Sequence, residues 1–268
     1  NKNRPFFLYL SHFAPHNPLQ ALRDDYDHFH HIEGEFSEEL KVYSGMLKAL
    51  DRSVGRILDT LEKNNLTDNT LIVLTSDNGG ANYIHLSDIN KPYRGWKLTH
   101  FEGGLHVPFM AKWPNKIKPG IEFNAPIHAN DILPTFAAAA GAELPDDRII
   151  DGVNLLPFLQ NHNSEMPHET LYWLQGRLQT VLHENWKLIT DHRTGKDWLF
   201  NVESDPYERI NLASEMTLKV EELKRLLNDH KKVQPPPLYD NTMSVPILID
   251  KHNGYTFQDG DEFTYWDN

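Results

Sequence analysis

Residues 70–80 read Thr70-Leu71-Ile72-Val73-Leu74-Thr75-Ser76-Asp77-Asn78-Gly79-Gly80. An apolar run rich in β-branched residues and bounded by polar turns is the pattern of a strand buried on both faces, as the strands of parallel sheets are. Upstream of the polar turn Asn64 to Asn69, apolar residues recur largely three and four apart at Leu40, Leu47, Leu50, Val54, Ile57, Leu58 and Leu61. With Ser37 read as an N-cap and Glu38 and Glu39 in the first turn, that spacing predicts one long amphipathic helix. Further upstream, Arg4-Pro5-Phe6-Phe7-Leu8-Tyr9-Leu10-Ser11 is a second apolar run and a second expected buried strand. Strand, helix and strand of these lengths make a right-handed crossover unit. The loop His12-Phe13-Ala14-Pro15-His16-Asn17-Pro18 follows the first strand, and loops beyond strand carboxyl ends are where open α/β sheets bind ligands.

Downstream, Val107 to Trp113 reads as a third strand, and Asp131 to Ala140 as a short helix stopped by Gly141. After Pro167 the texture changes. Short segments near Leu171–Leu174, Leu178–Leu182, Trp186–Thr190 and Trp198–Val202, spaced by turn residues, predict an antiparallel meander. A closing helix is expected over Ser214–Lys232, with Val220, Leu223, Leu226 and Leu227 on one face, ended by Pro235-Pro236-Pro237. The expected division is an α/β domain over 1–166 with a mostly parallel sheet flanked by helices, a small α+β subdomain over 167–234, and an extended acidic tail over 235–268.

The 268 residues carry a formal net charge of −12, which excludes a protein that coats nucleic acid. No window approaches the roughly 20 consecutive apolar residues of a membrane span. The composition, 39% hydrophobic and 11% aromatic, supplies a core. The absence of Cys removes disulfides, zinc-thiolate sites and thiol nucleophiles together. The first residue is Asn with no apolar signal segment before it, so the N-terminus is expected to arise by processing or cleavage, with sequence missing upstream.

Asp77-Asn78 puts two hard oxygen donors at a strand end, followed by glycines that let the backbone turn closely around an ion, which suits Ca²⁺ or Mg²⁺. The competing reading is an ordinary Asn-Gly turn. His16, between two prolines, has the chemistry of an acid, a base or an anion ligand, against a plain surface histidine among 15. Lys97, in Arg94-Gly95-Trp96-Lys97, and the turn Glu102-Gly103-Gly104 decide nothing individually.

Their order does. The series Leu8-Tyr9-Leu10-Ser11-His12, Pro15-His16-Asn17-Pro18-Leu19-Gln20, Thr75-Ser76-Asp77-Asn78-Gly79, Arg94-Gly95-Trp96-Lys97 and Phe101-Glu102-Gly103-Gly104 closely resembles the type I sulfatase family of the alkaline phosphatase superfamily. The likeness continues through Asp131-Ile132-Leu133-Pro134-Thr135, Asp151-Gly152-Val153 and Leu199-Phe200-Asn201 to Asp205-Pro206. The resemblance implies that Asp77 and Asn78 are calcium ligands, with Mg²⁺ the lesser choice. It implies that His16 and Lys97 contact the sulfate and act in catalysis; Arg94, beside Lys97, is a further candidate substrate-binding cation. Asp-Asn-Gly in place of the Asp-His-Gly of related phosphatases favours sulfate. A cation and an ammonium can hold the ester oxygens while the S–O bond breaks, and an imidazole can protonate the departing alkoxide.

Family members also carry, near their N-terminus, two consecutive calcium-binding Asp and then a Cys or Ser in the pattern C/S-x-P-x-R, which is oxidised to the formylglycine nucleophile. That pattern is absent here. In Ser204-Asp205-Pro206-Tyr207-Glu208-Arg209 the Arg stands one residue too far along, and the pairs Asp24-Asp25 and Asp146-Asp147 are misplaced. The chain therefore resembles the C-terminal half to two-thirds of a sulfatase. The formylglycine is expected on an upstream segment needed to complete the site, and the 268 residues alone are expected to be inactive. The leading expectation is a sulfuric ester hydrolase acting on a sulfated carbohydrate or small sulfate ester. The alternatives are a phosphate or phosphonate monoester hydrolase of the same superfamily and a non-catalytic anion-binding remnant. By resemblance the protein is exported to a bacterial periplasm or the extracellular space, or is lysosomal. A net charge of −12 opposes polyanionic glycans at long range, so Arg23, Arg94, Lys97 and Arg177 are candidate local cations, and Tyr93, Trp96 and Trp173 candidate stacking residues.

Overall fold

The structure, a computed structural model, describes residues 4–160 and 165–268. In chain order its helices and strands are α1 (Arg23–Asp27), α2 (Ser37–Lys63), β1 (Ile72–Thr75), α3 (Glu102–Leu105), β2 (Phe109–Lys112), α4 (Ile132–Ala140) and α5 (Leu156–Leu159). Then come β3 (Thr170–Gln175), β4 (Leu178–His183), β5 (Trp186–Asp191), β6 (Lys196–Asn201), α6 (Thr217–Val233), β7 (Ser244–Leu248) and β8 (Phe263–Asp267). The fold is α/β. β1 and β2 pair in one sheet, β3 to β6 form a second in sequence order, and β7 and β8 form a third. The chain divides into two compact units, residues 1–73, 83–86 and 111–120 against residues 74–82, 87–110 and 121–268.

In the first unit, α2 forms where the three-and-four spacing placed it. Its N-cap is Phe36 at φ 58, and Ser37 is already helical, so no side chain caps this end. The buried faces of α1 and α2 meet at Gly45, where a Cβ would stand 2.8 Å from that of Ala21. Asp25 is buried beside this contact, and Arg52 donates to both of its oxygens at 2.7 Å. The run Pro5–Leu10 corrects the expectation of a buried strand. It pairs with no strand among the described residues, and its side chains lie in solvent, with Phe7 74% and Tyr9 79% exposed. An apolar run becomes a strand only where a neighbour supplies the other half of the ladder.

In the second unit, β3 to β6 make the expected antiparallel meander. Register places Val181, Leu188 and Leu199 in one row across three strands. Val220, Leu223 and Leu227 of α6 pack on that row, and burying each such side chain contributes roughly 1.5–3 kcal/mol. The adjacent row, Thr180, Ile189 and Trp198, lies on the other face. There Phe101, Leu178, Ile189, Trp198, Phe200 and Ile249 close a second cluster. Ile249 shows that the tail is folded. β7 and β8 pair antiparallel from Ser244↔Asp267 to Leu248↔Phe263, and Ile247, Leu248 and Ile249 are buried. Among the described residues no helix is long and apolar enough to cross a membrane.

Candidate functional site

The chain leaves β1 into Ser76-Asp77-Asn78-Gly79-Gly80, and the second unit holds this turn against the segment 94–104 through backbone contacts. Gly79 N–H donates to the Gly104 carbonyl at 3.0 Å, and Lys97 N–H donates to the Gly80 carbonyl at 2.9 Å. Such contacts need bare backbone. A Cβ on Gly79 would stand 1.8 Å from the Gly103 carbonyl oxygen, and one on Gly104 would stand 2.3 Å from that of Thr99. Asn90 ties the same strands of chain together. Its Oδ1 accepts Gly80 N–H at 2.7 Å, while its Nδ2 donates to the carbonyls of Gly80 and Gly95 at 2.9 and 3.1 Å.

The result is a juncture of two loops that carries Asp77 and Asn78 on one side and Lys97 on the other. Asp77 is exposed, and Asn78 and Lys97 are half-buried. Among the described residues none of the three side chains has a hydrogen-bond or ion-pair partner. In a loop this heavily bonded, an ammonium and two oxygen donors left free are available to ligands. The free oxygens suit a hard cation. Calcium takes six to eight oxygens, and among the described residues no three His, Asp or Glu side chains gather as a metal site. By donor chemistry alone, Asp77 and Asn78 could supply two of those oxygens, and further ligands would have to come from elsewhere.

Arg94 departs from expectation. Its guanidinium donates through Nε and Nη2 to both oxygens of Asp250 at 2.7 Å, bonds Glu262 as well, and lies over the Phe101 ring. Burial alone would lower its pKa, but the two carboxylates raise it instead. The correction is that Arg94 is an internal brace and not a free substrate-binding cation. Trp96 is likewise buried in the packing, and Arg23 is paired with Asp27. His16 belongs to the first unit, where it is exposed, with Nδ1 2.8 Å from the Asn17 carbonyl and its ring 5.3 Å from that of Phe13.

Beneath the Lys97 loop lies a charged cluster that sequence reasoning missed. Lys187, 1% exposed, pairs with Glu102 at 2.5 Å and Glu208 at 2.8 Å. Glu208 also accepts the Glu102 N–H at 2.6 Å. Burial would raise the Glu102 carboxyl, yet the Lys187 ammonium and the His106 ring hold it down to about 2. Glu208 is raised by burial and by the Glu102 charge. His100 shares a 2.9 Å hydrogen bond with the Thr180 hydroxyl, and burial followed by the Lys187 charge pushes its imidazole down to about 3. The sequence signal for Glu208 was its place in Asp205-Pro206-Tyr207-Glu208-Arg209, whereas Lys187 sits in a strand with no signal. Of the misplaced acidic pairs, Asp25 is bound by Arg52 and Asp147 by Arg148.

The chain is similar to known proteins. The family model described as Sulfatase matches residues 1–142, and that described as N-sulphoglucosamine sulphohydrolase, C-terminal, matches residues 95–233. Steryl-sulfatase of Rattus norvegicus is 35% identical over 213 residues, which cover 77% of this chain and 35% of the rat protein. The Escherichia coli K12 protein called uncharacterized sulfatase YdeN is 37% identical over 183 residues, covering 68% and 32%. The crystal structure of Ps i-CgsB in complex with k-i-k-neocarrahexaose superposes with a TM-score of 0.79 at 34% identity, covering 89% of this chain and 52% of that one. The chain thus spans about a third of the length of these curated relatives and about half of the solved one.

Proposed function

The chain belongs to the sulfatase family, and from that premise we propose that the intact protein hydrolyses sulfate esters at the juncture of the Asp77–Gly80 and Arg94–Gly104 loops. The observation that carries the reading is the Lys97 N–H bond to the Gly80 carbonyl, which joins a free ammonium to the loop bearing two free oxygen donors.

In this reading Asp77 and Asn78 would supply part of the oxygen shell of a calcium ion, which when bound would offer positive charge to the sulfate oxygens. Lys97 binds another sulfate oxygen and offsets the charge that gathers as the S–O bond breaks. His16 contacts the sulfate and protonates the departing alkoxide. The nucleophile is a formylglycine on an upstream segment of the intact protein, made from a C/S-x-P-x-R pattern that the 268 residues lack. A sulfated carbohydrate is the favoured substrate, supported by the bound neocarrahexaose in the structure 34% identical to this chain. Export, or a lysosomal location, completes the proposal.

The test is hydrolysis of 4-methylumbelliferyl sulfate by the intact protein, with calcium and after its removal by a chelator. Lys97→Ala and Asp77→Ala are each expected to lower kcat/KM by about a hundredfold or more, the scale of losing one preorganised electrostatic contact. Full activity in both variants, or in chelator, overturns the assignment.

A further inference from the structure

The hairpin β7–β8 lies beyond both stretches matched by the family models, which end at residues 142 and 233. Its connecting loop, residues 249–262, nevertheless grips both sides of the candidate site. On one side Asp250 and Glu262 hold Arg94, three residues before Lys97. On the other, Asn253 N–H donates to the Asn82 carbonyl at 3.1 Å and Asn82 Nδ2 donates to Asn253 Oδ1 at 2.8 Å, four residues after Asn78. The loop is itself tied down. Ile249 N–H donates to the Glu262 carbonyl at 3.0 Å, Lys251 pairs with Asp261 at 2.6 Å, and Glu262 is further bonded by Lys196 and by Trp198 Nε1.

A lysine on a flexible four-carbon stem binds an anion well only if its backbone is fixed beforehand. The 94–104 segment is a loop, and a loop must be held from outside. Arg94 does this through a two-pronged bond to Asp250, the pairing that fixes orientation as well as distance. The Arg94 carbonyl in turn accepts Gly103 N–H at 2.7 Å, so its position passes to the glycine turn that meets Gly79.

We propose that Asp250 and Asn253 are positioning residues, through which the C-terminal hairpin sets the Lys97 loop against the Asp77–Gly80 loop for anion binding. The inference rests on the reading of Lys97 as a sulfate contact, and the experiment separates the two. In the intact protein, the rate at which an amine-reactive reagent labels Lys97 is followed by peptide mass mapping, with inorganic sulfate or with chloride at equal ionic strength. Sulfate at about ten times its dissociation constant slows labelling of an occupied lysine about tenfold. Asp250→Asn and Asn253→Ala are each expected to reduce that protection to about twofold or less, as a tenfold weaker site gives. Labelling without sulfate and the thermal midpoint should stay near wild type.

Asp250 is half exposed and Glu262 remains to face Arg94, so Asp250→Asn keeps the buried guanidinium paired. Asn253 is exposed and offers a variant that leaves the ion pairs untouched. If wild-type Lys97 gains no protection from sulfate, the reading of Lys97 fails. If wild type is protected and both variants are protected equally, the positioning role fails while the sulfatase reading stands. Lost protection accompanied by a fall in thermal midpoint in both variants would reduce the hairpin to a general stabiliser and also overturn the proposal.

Discussion

A lysine with 1% of its side chain exposed can stay charged only if its surroundings answer the charge, and Lys187 has two carboxylates within 2.8 Å. Lys187→Met would leave Glu102 and Glu208 facing each other without a cation. It is expected to cost about 3–5 kcal/mol, the usual result of breaking a buried ion pair, measured by denaturant unfolding at pH 7. Glu208→Gln should stay within about 1 kcal/mol of wild type, because it keeps an acceptor for the Glu102 N–H and removes a charge that burial disfavours. His100 gives a pH signature. Its folded pKa of about 3 lies below the ordinary 6.5, so between those values the unfolded chain binds a proton that the folded chain refuses. Stability therefore falls as pH drops below about 6.5, by up to about 1.4 kcal/mol per pH unit from this group. His100→Gln should flatten the dependence of thermal midpoint on pH between about 6.5 and 5, and an unchanged slope would show that other histidines carry it. None of these partners was legible in the sequence. Lys187 bonds Glu102 across 85 positions and Arg94 bonds Asp250 across 156, while spacing along the chain reports only on neighbours.

Elements were legible where their pattern is self-contained. α2 announced itself through an apolar stripe, and the meander through short runs separated by turns; both depend on contacts close in sequence. The run Pro5–Leu10 was misread because a strand needs partners that its own residues do not encode. The hairpin β7–β8 was missed because it closes through a long loop without a two-residue turn signal, behind a polyproline run that suggests disorder. Asp77, Asn78 and Lys97 were legible as types in order, yet the reason their loops meet lies in glycines whose necessity only the three-dimensional contacts reveal. A pair of substitutions tests that reason. Gly79→Ala places a Cβ 1.8 Å from a carbonyl oxygen and must displace the 94–104 loop. Gly55→Ala, in α2 with nothing within 4 Å of the added Cβ, should stabilise by about 0.5–1 kcal/mol through helix propensity and the unfolded chain. Hydrogen exchange should accordingly show faster opening at Lys97 and Gly79 amides in Gly79→Ala and no such change in Gly55→Ala.

At the scale of the whole molecule, the question is which parts of a reaction these 268 residues contain. They offer an ammonium at Lys97, oxygen donors at Asp77 and Asn78, and an imidazole at His16, all of them groups that bind ions or move protons. Attack at sulfur needs a nucleophile of another kind. The chain has no Cys, and its Ser and Thr hydroxyls stand outside the C/S-x-P-x-R pattern. The two acidic pairs that might have completed a calcium shell include Asp25 and Asp147, each already bonded by an arginine through both oxygens. Water attack assisted by a metal would need a fuller ligand set than two donors provide. The purified 268-residue chain is therefore expected to leave 4-methylumbelliferyl sulfate unhydrolysed, with or without added calcium. In the proposed reading, a protein that carries a C/S-x-P-x-R segment upstream of these residues should turn it over once that segment holds formylglycine, and should lose that turnover when its Cys or Ser is replaced by Ala. Hydrolysis by the 268 residues alone, persisting through repurification and abolished by Lys97→Ala, would require a nucleophile within the chain and would assign the chemistry to these loops by themselves.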